Sequence, residues 1–283
     1  MSGFQYYEFV AVDRRLTEAD QDALRRISSR AEITATSLTN SYSYGDFKGD
    51  PDDLMDRYFD AMVYVTNWGT RTVRLRVPRA TADLPAMRRY AVDRVIDVRA
   101  TKAHVVVTLS VDEEDGGGWV GEDGDGWMQK LLGLRKELMA GDHRPLYLGW
   151  LAATLWGDLD EGEREPAVPP GLRRLTKAQE RLADFLALGD DLVGAAAQAS
   201  RGVASAVTPT KAALAKWVAA LPAKQKDAWL VAAALDEGAN VGATLLQAYR
   251  KAQPKAAAAG PAKAKRRTVA ELFAAAGLGT AEG

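Results

Sequence analysis

Residues 145–157 read PLYLGWLAATLWG, and no charged side chain lies between Arg144 and Asp158. Leu146, Leu148, Leu151 and Leu155 alternate with Tyr147, Trp150 and Trp156. On a helix these side chains point in every direction, and a helix that is apolar all round belongs inside a protein or a bilayer. The run is shorter than the roughly 20 apolar residues that a bilayer requires. The stretch therefore predicts a buried central helix, with Asp142 near its start and Pro145 in its first turn. The sequence is strand-like before this point and helix-like after it. That change of character predicts an α+β protein.

Upstream, Tyr6 to Val12 (YYEFVAV) is aromatic and β-branched and predicts a central strand. Thr17 opens a helix, and Ala31 to Thr39 predicts a second strand. The segment SYSYGDFKGDPDD follows, an aromatic, glycine-containing loop that leads into Asp50-Pro51-Asp52-Asp53. An N-cap Asp, Pro at the first helical position and acids facing the positive end of the dipole predict a helix start there. Met62 to Trp68 and Arg71 to Val77 predict a hairpin through Gly69-Thr70. A short helix over Leu84 to Tyr90 and a strand pair, 95–99 with 103–111, complete a mostly antiparallel sheet, ferredoxin-like at best.

Downstream, Thr176 with Gln179 predicts a capping box. Asp190, Thr208-Pro209, Pro222 and Asn240 mark further helix starts. The expected organisation is an α+β domain over 1–112, an acidic Gly-rich linker over 113–126 and an all-α helical domain over 127–249. A disordered Lys/Ala/Pro tail over 250–267 and a short amphipathic helix over 268–277 follow.

Composition sets bounds. The chain has 283 residues, 47% hydrophobic and 27% charged, with a formal net charge of -1. No global field favours nucleic acid or acidic lipid. The chain contains no cysteine, which excludes disulfides, thiolate metal sites and a cysteine nucleophile. His104 and His143 are its two histidines, so neither a metal site nor a cofactor is expected. MSGFQYYEF has no basic start and no long apolar core. No signal peptide or membrane partner is expected, and the expected location is the cytoplasm. Gly116-Gly117-Gly118 lacks the Gly-Lys-Ser/Thr of a phosphate loop, and no Gly-x-Ser-x-Gly elbow occurs.

The runs YYEFVAVDRRL, GDFKGDP (45–51), the NWGTR of YFDAMVYVTNWGTR (58–71) and LYLGWLAA (146–153) together resemble a family of bacterial conserved hypothetical proteins, across most of residues 6–250. The resemblance implies a bacterial cytoplasmic protein. It implies no activity, substrate or site residue.

Four groups of residues remain as functional candidates. Tyr42, Tyr44, Asp46 and Lys48 are expected to converge with Asn67, Trp68 and Arg71 on a ligand or protein partner, through aromatic surface and hydrogen bonds. A packed loop covering the sheet edge is the alternative. Arg74 and Arg76, with His104 nearby, suggest a basic sheet face for nucleic acid, against the commoner half-exposed strand. The tail residues Lys255, Lys263, Lys265, Arg266 and Arg267 suit a polyanion, bound by counterion release. Val269, Leu272 and Phe273 form one side of the last helix and suit a protein groove. The expected function is a protein-interaction or adaptor module. A non-specific nucleic-acid-associated protein acting through the tail is the second reading. The third is an enzyme of unknown class using Asp46, Lys48 and Arg71.

Overall fold

A computed structural model describes residues 3–43, 45–113, 124–157, 159–202, 210–234, 241–252 and 266–279. Seven strands form one antiparallel sheet: β1 (Gln5–Val10), β2 (Glu32–Ile33), β3 (Ser37–Tyr42), β4 (Ala61–Thr66), β5 (Arg71–Pro78), β6 (Ile96–Ala100) and β7 (His104–Val111). Their order is β2-β3-β1-β4-β5-β7-β6. The α+β class is the one that forms. Every neighbouring pair is antiparallel, and β1 and β2 run parallel to one another on either side of β3, which is the split βαβ unit of a ferredoxin-like arrangement; the order β2-β3-β1-β4 agrees with it.

Side chains alternate across this sheet. Val63, Val65, Val73, Leu75, Val107 and Leu109 enter one core with the central helix. Phe9, Leu38, Met62 and Val106 enter a second core on the other face. Two short helices cover that second face, α1 (Glu18–Ile27) through Leu24 and α2 (Pro51–Arg57) through Leu54 and Met55. Burial on both faces explains why β4 and β7 read as nearly continuous apolar runs. The caps fall where the sequence places them, with Thr17 in a capping box and Asp50 accepting from the Asp52 amide.

The first face is covered mostly by residues after Gly126, with a smaller share from 82–92. The helix predicted over 84–90 is split into α3 (Leu84–Met87) and a 3-10 turn, Arg88–Tyr90. Then come α4 (Trp127–Leu131), α5 (Gly133–Met139), α6 (Arg144–Trp156), α7 (Lys177–Phe185) and α8 (Asp190–Ala199). Every residue of α6 from Arg144 to Thr154 is buried. At Gly149 the helix lies so close to the sheet that a Cβ would sit 2.7 Å from a Leu109 methyl and 3.2 Å from Ile96. Helices α4–α8 share their core with the strands, so the boundary expected near residue 112 does not separate two hydrophobic cores. Residues 1–112 supply little helix for this face, and the sheet's apolar side needs cover. Most of the expected linker, 114–123, lies outside the described residues.

Three further helices are held differently. They are α9 (Lys211–Ala219), α10 (Ala223–Ala234) and α11 (Val241–Ala252). No residue of α9 or α10 is buried. Trp217 joins the three, with ring centroids 6.1 Å from Trp229 and 5.4 Å from Tyr249. The last helix, α12 (Val269–Ala276), packs against α8. Among the described residues no helix is long and apolar enough to cross a membrane.

Candidate functional site

The aromatic loop folds onto the sheet rather than opening from it. Ala31 to Thr39 does not run as one strand, because the Thr34 hydroxyl accepts from the Thr36 and Ser37 amides and turns the chain. Strand β3 therefore starts later and takes in Tyr42. The Tyr42 hydroxyl lies inside, 2.7 Å from Asn40 Nδ2 and 3.4 Å from Ser28 Oγ. Asp46 accepts from Gln5 Nε2 at 2.9 Å, and Phe47 packs on Tyr7 at 5.1 Å between centroids. Tyr7 and Tyr64 both donate to Gln5 Oε1, at 3.2 and 3.3 Å. Burial raises the pKa of both phenols, with the Tyr64 ring adding to the effect on Tyr7. Both are therefore neutral donors at physiological pH. Lys48 is exposed, and Tyr44 lies outside the described residues.

The other half of the expected constellation is elsewhere. Asn67 Oδ1 accepts from the Phe4 amide at 2.8 Å, and Trp68, 41% exposed, lies over Gly3. Arg71 is 2% exposed and pairs with Glu113 at 3.1 Å. It stands opposite Val65 and Val111 in the sheet register and so shares their face, the one under α4–α8. Tyr42 stands opposite Gln5 on the other face. The structure thus does not assemble Asp46, Lys48 and Arg71 into one site. Two-residue alternation separates them by the thickness of the sheet.

The arginines of β5 are not an open basic surface either. Arg74 pairs with Asp52 of α2 at 2.5 Å, and Arg76 pairs with Asp60 at 3.0 Å. Arg99 adds a fork onto Asp56 at 2.8 and 2.9 Å. Asp60 is fully buried and also receives Arg135 of α5, at 3.4 Å, and the Val12 and Asp13 amides. Burial alone would raise the Asp60 pKa. Arg135, Arg76 and the two amides outweigh burial and hold it below the usual carboxylate range. Beside this network, burial and Arg76 lower the His104 pKa.

The expected C-terminal surfaces also turn inward. Lys255, Lys263 and Lys265 lie outside the described residues, and Arg266 is exposed. Arg267 is no free polyanion contact, because it forks onto Glu165 at 2.8 and 2.9 Å and donates to the Ala195 carbonyl. Glu165 is 2% exposed and accepts a further short bond from the Tyr147 hydroxyl of α6. Val269 and Leu272, expected to dock a partner, are 1% and 0% exposed, and Phe273 packs against the same core. Backbone bonds from Val269 to Glu163 and from Ala270 to Glu161 fix α12 in place. The amphipathic stripe was read correctly, but its groove lies within the same chain.

Among the described residues the most exposed large apolar side chains are on α10, beside α9. Leu230 is 68% exposed and Val231 55%. Lys211, Lys216 and Lys224 are exposed on the same helices, Lys226 is partly so, and the described residues of the pair include one acid, Asp227. The sequence signal was the run Trp229 to Ala234, WLVAAA, as apolar all round as residues 146–153. Among the described residues no three His, Asp or Glu side chains are placed to hold a metal ion. Comparison of the chain with protein-family models, with curated proteins and with solved structures gives no match.

Proposed function

We propose that this protein acts by binding another protein, one whose surface carries an apolar stripe flanked by acids, on helices α9 and α10. The observation that supports this reading is the adjacent exposure of Leu230 and Val231 on helices that bury nothing of their own. Covering an exposed Leu or Val side chain is worth about 1.5–3 kcal/mol each. Contiguous exposed apolar side chains with a polar rim mark interaction surfaces. The surrounding lysines favour an acidic partner and speed its approach. Nucleic acid is the weaker fit, because phosphates satisfy lysines but leave two adjacent aliphatic side chains uncovered.

The test compares the full-length protein with the Leu230→Asp, Val231→Asp double variant. Each is used to capture partners from a lysate of the native host, with and without nuclease, and the partner is then purified and recombined with both. The expected result is a stoichiometric complex with the wild-type chain, insensitive to nuclease, and about tenfold or more weaker with the variant. Both chains should melt at the same temperature. Capture that nuclease abolishes would move the reading to nucleic acid, and equal binding by both chains would remove α9 and α10 from the interface.

A further inference from the structure

A cleft of about 300 Å³ opens between the turn after α3 and the start of α6. Its size is at the lower end of ligand sites in proteins. Ala86, Val168 and Pro170 give it apolar walls, and Arg89, Tyr90 and His143 its polar ones. The cleft is well fixed. The Tyr90 hydroxyl donates to the Ala167 carbonyl at 2.8 Å and so ties down the loop that carries Val168 and Pro170. The Tyr90 ring stands edge-on to Tyr147 of α6, 6.4 Å between centroids, and 6.1 Å from the His143 imidazole.

The charges around the cleft are unevenly compensated. Asp142 reaches the cleft, but Arg144 forks onto it at 3.0 and 2.6 Å, and Gln179 Nε2 donates at 3.1 Å. Glu165, behind Tyr147, is engaged by Arg267 and the Tyr147 hydroxyl. The Arg89 guanidinium has no ion pair or hydrogen bond with a described residue. Burial pushes the Tyr90 hydroxyl up to about 12, while the positive charges of Arg89 and Arg266 act on it in the opposite sense. Burial lowers the His143 pKa, so at neutral pH its imidazole is uncharged and offers one donor and one acceptor.

We infer that this cleft binds a compact organic anion, with its flat apolar body against Ala86, Val168 and Pro170 and its carboxylate toward Arg89 and His143. Asp142 and Glu165 are already paired, Asp83, which also acts on His143, is turned to the Ala86 amide at the start of α3, and Arg89 on the cleft wall is left to meet an incoming anion. The apolar faces give the body a surface that a bare inorganic anion does not use. This site lies apart from the α9–α10 surface and does not depend on it.

The full-length protein is titrated with benzoate, with benzamide (the same ring without charge) and with acetate (the same charge without ring). The readout is the imidazole signals of His143, assigned with the His143→Gln variant; the chain has one other histidine. Benzoate should move these signals saturably and bind about tenfold or more tightly than either comparison probe. Arg89→Ala should weaken benzoate by about tenfold and leave the melting temperature unchanged, because Arg89 is exposed. Equal affinity for benzoate and benzamide would overturn the inference. So would an unchanged affinity in Arg89→Ala, or His143 signals that stay still.

Discussion

Helices α6 and α10 have 13 and 12 residues, and the second half of α10, WLVAAA, is as free of charge as α6 after Arg144, yet α6 is buried along almost its whole length and α10 buries nothing. What differs is the company each keeps. Helix α6 has the sheet against Gly149, and α7 and α8 beside it. Helix α10 packs on α11 and sets Trp229 6.1 Å from Trp217, the rings tilted by 33°. An apolar run states that a surface needs cover, but it does not say whether the cover is in the same chain. For α12 the answer is inside, on α8; for α10 nothing among the described residues provides it.

The largest effect expected is on α6. Trp150→Ala should cost about 3–5 kcal/mol in chemical denaturation of the full chain, whereas Leu230→Ala should stay within about 0.5 kcal/mol. Similar costs for the two would dissolve the contrast between the helices.

A somewhat smaller loss should follow from Asp60→Asn, which leaves Arg76 buried without its counter-charge and Arg135 with Asp13 alone. It should cost about 3 kcal/mol, because removing one partner of a buried pair strands the other. The wild-type carboxyl has a depressed pKa when folded, so its stabilisation is complete above the unfolded value of about 3.9 and fades as pH falls through the folded value. The expected result is a flatter dependence of stability on pH below about 4 in the variant, measured by denaturation at a series of pH values.

The smallest effects are at two helix caps. Thr176→Ala removes the capping box of α7, next to the shared core, and should lower global stability by about 0.5–2 kcal/mol. Thr210→Ala removes the cap of α9 and should reduce helical signal without moving the main transition, since α9 buries nothing. Equal shifts in the main transition would mean that α9–α11 unfold with the core.

Some local signals in the sequence are sound and some are not: α9 is capped by Thr210, while Thr208, Pro209 and Asn240 lie outside the described residues. The caps at Thr17, Asp50 and Thr176 are governed by side chains within three residues, and each forms. The hairpin at Gly69 was legible because a φ of +108° suits Gly; there, too, a Cβ would collide with the Glu113 carbonyl oxygen. The buried central helix was legible because PLYLGWLAATLWG leaves no polar face. The candidate constellation failed on long-range parity. Whether Tyr42 and Arg71 share a face depends on where β3 begins and how it pairs with β1, and no periodicity within either strand encodes that. The Arg267–Glu165 fork joins residues 102 positions apart, and a Lys/Ala/Pro context gave no reason to expect a buried partner. The Leu230 and Val231 surface was hidden by a different ambiguity, since WLVAAA reads the same whether it is covered or bare.

The docking of α12 also sets the order in which this fold can be finished as the chain is made. Helices α6 and α8 are complete by residue 199, but Arg267, Val269 and Leu272 arrive only after about 70 more residues. At roughly 5–20 residues per second, the side of α8 that α12 will cover stays bare for some 4–15 s. Over the same interval Glu165 waits beside Tyr147 without its guanidinium. A ribosome stalled before Arg267 would leave a nascent chain with its sheet formed but its groove sticky and one acid stranded, the kind of species that chaperones and proteases select; addition of Arg267 and α12 removes both marks together.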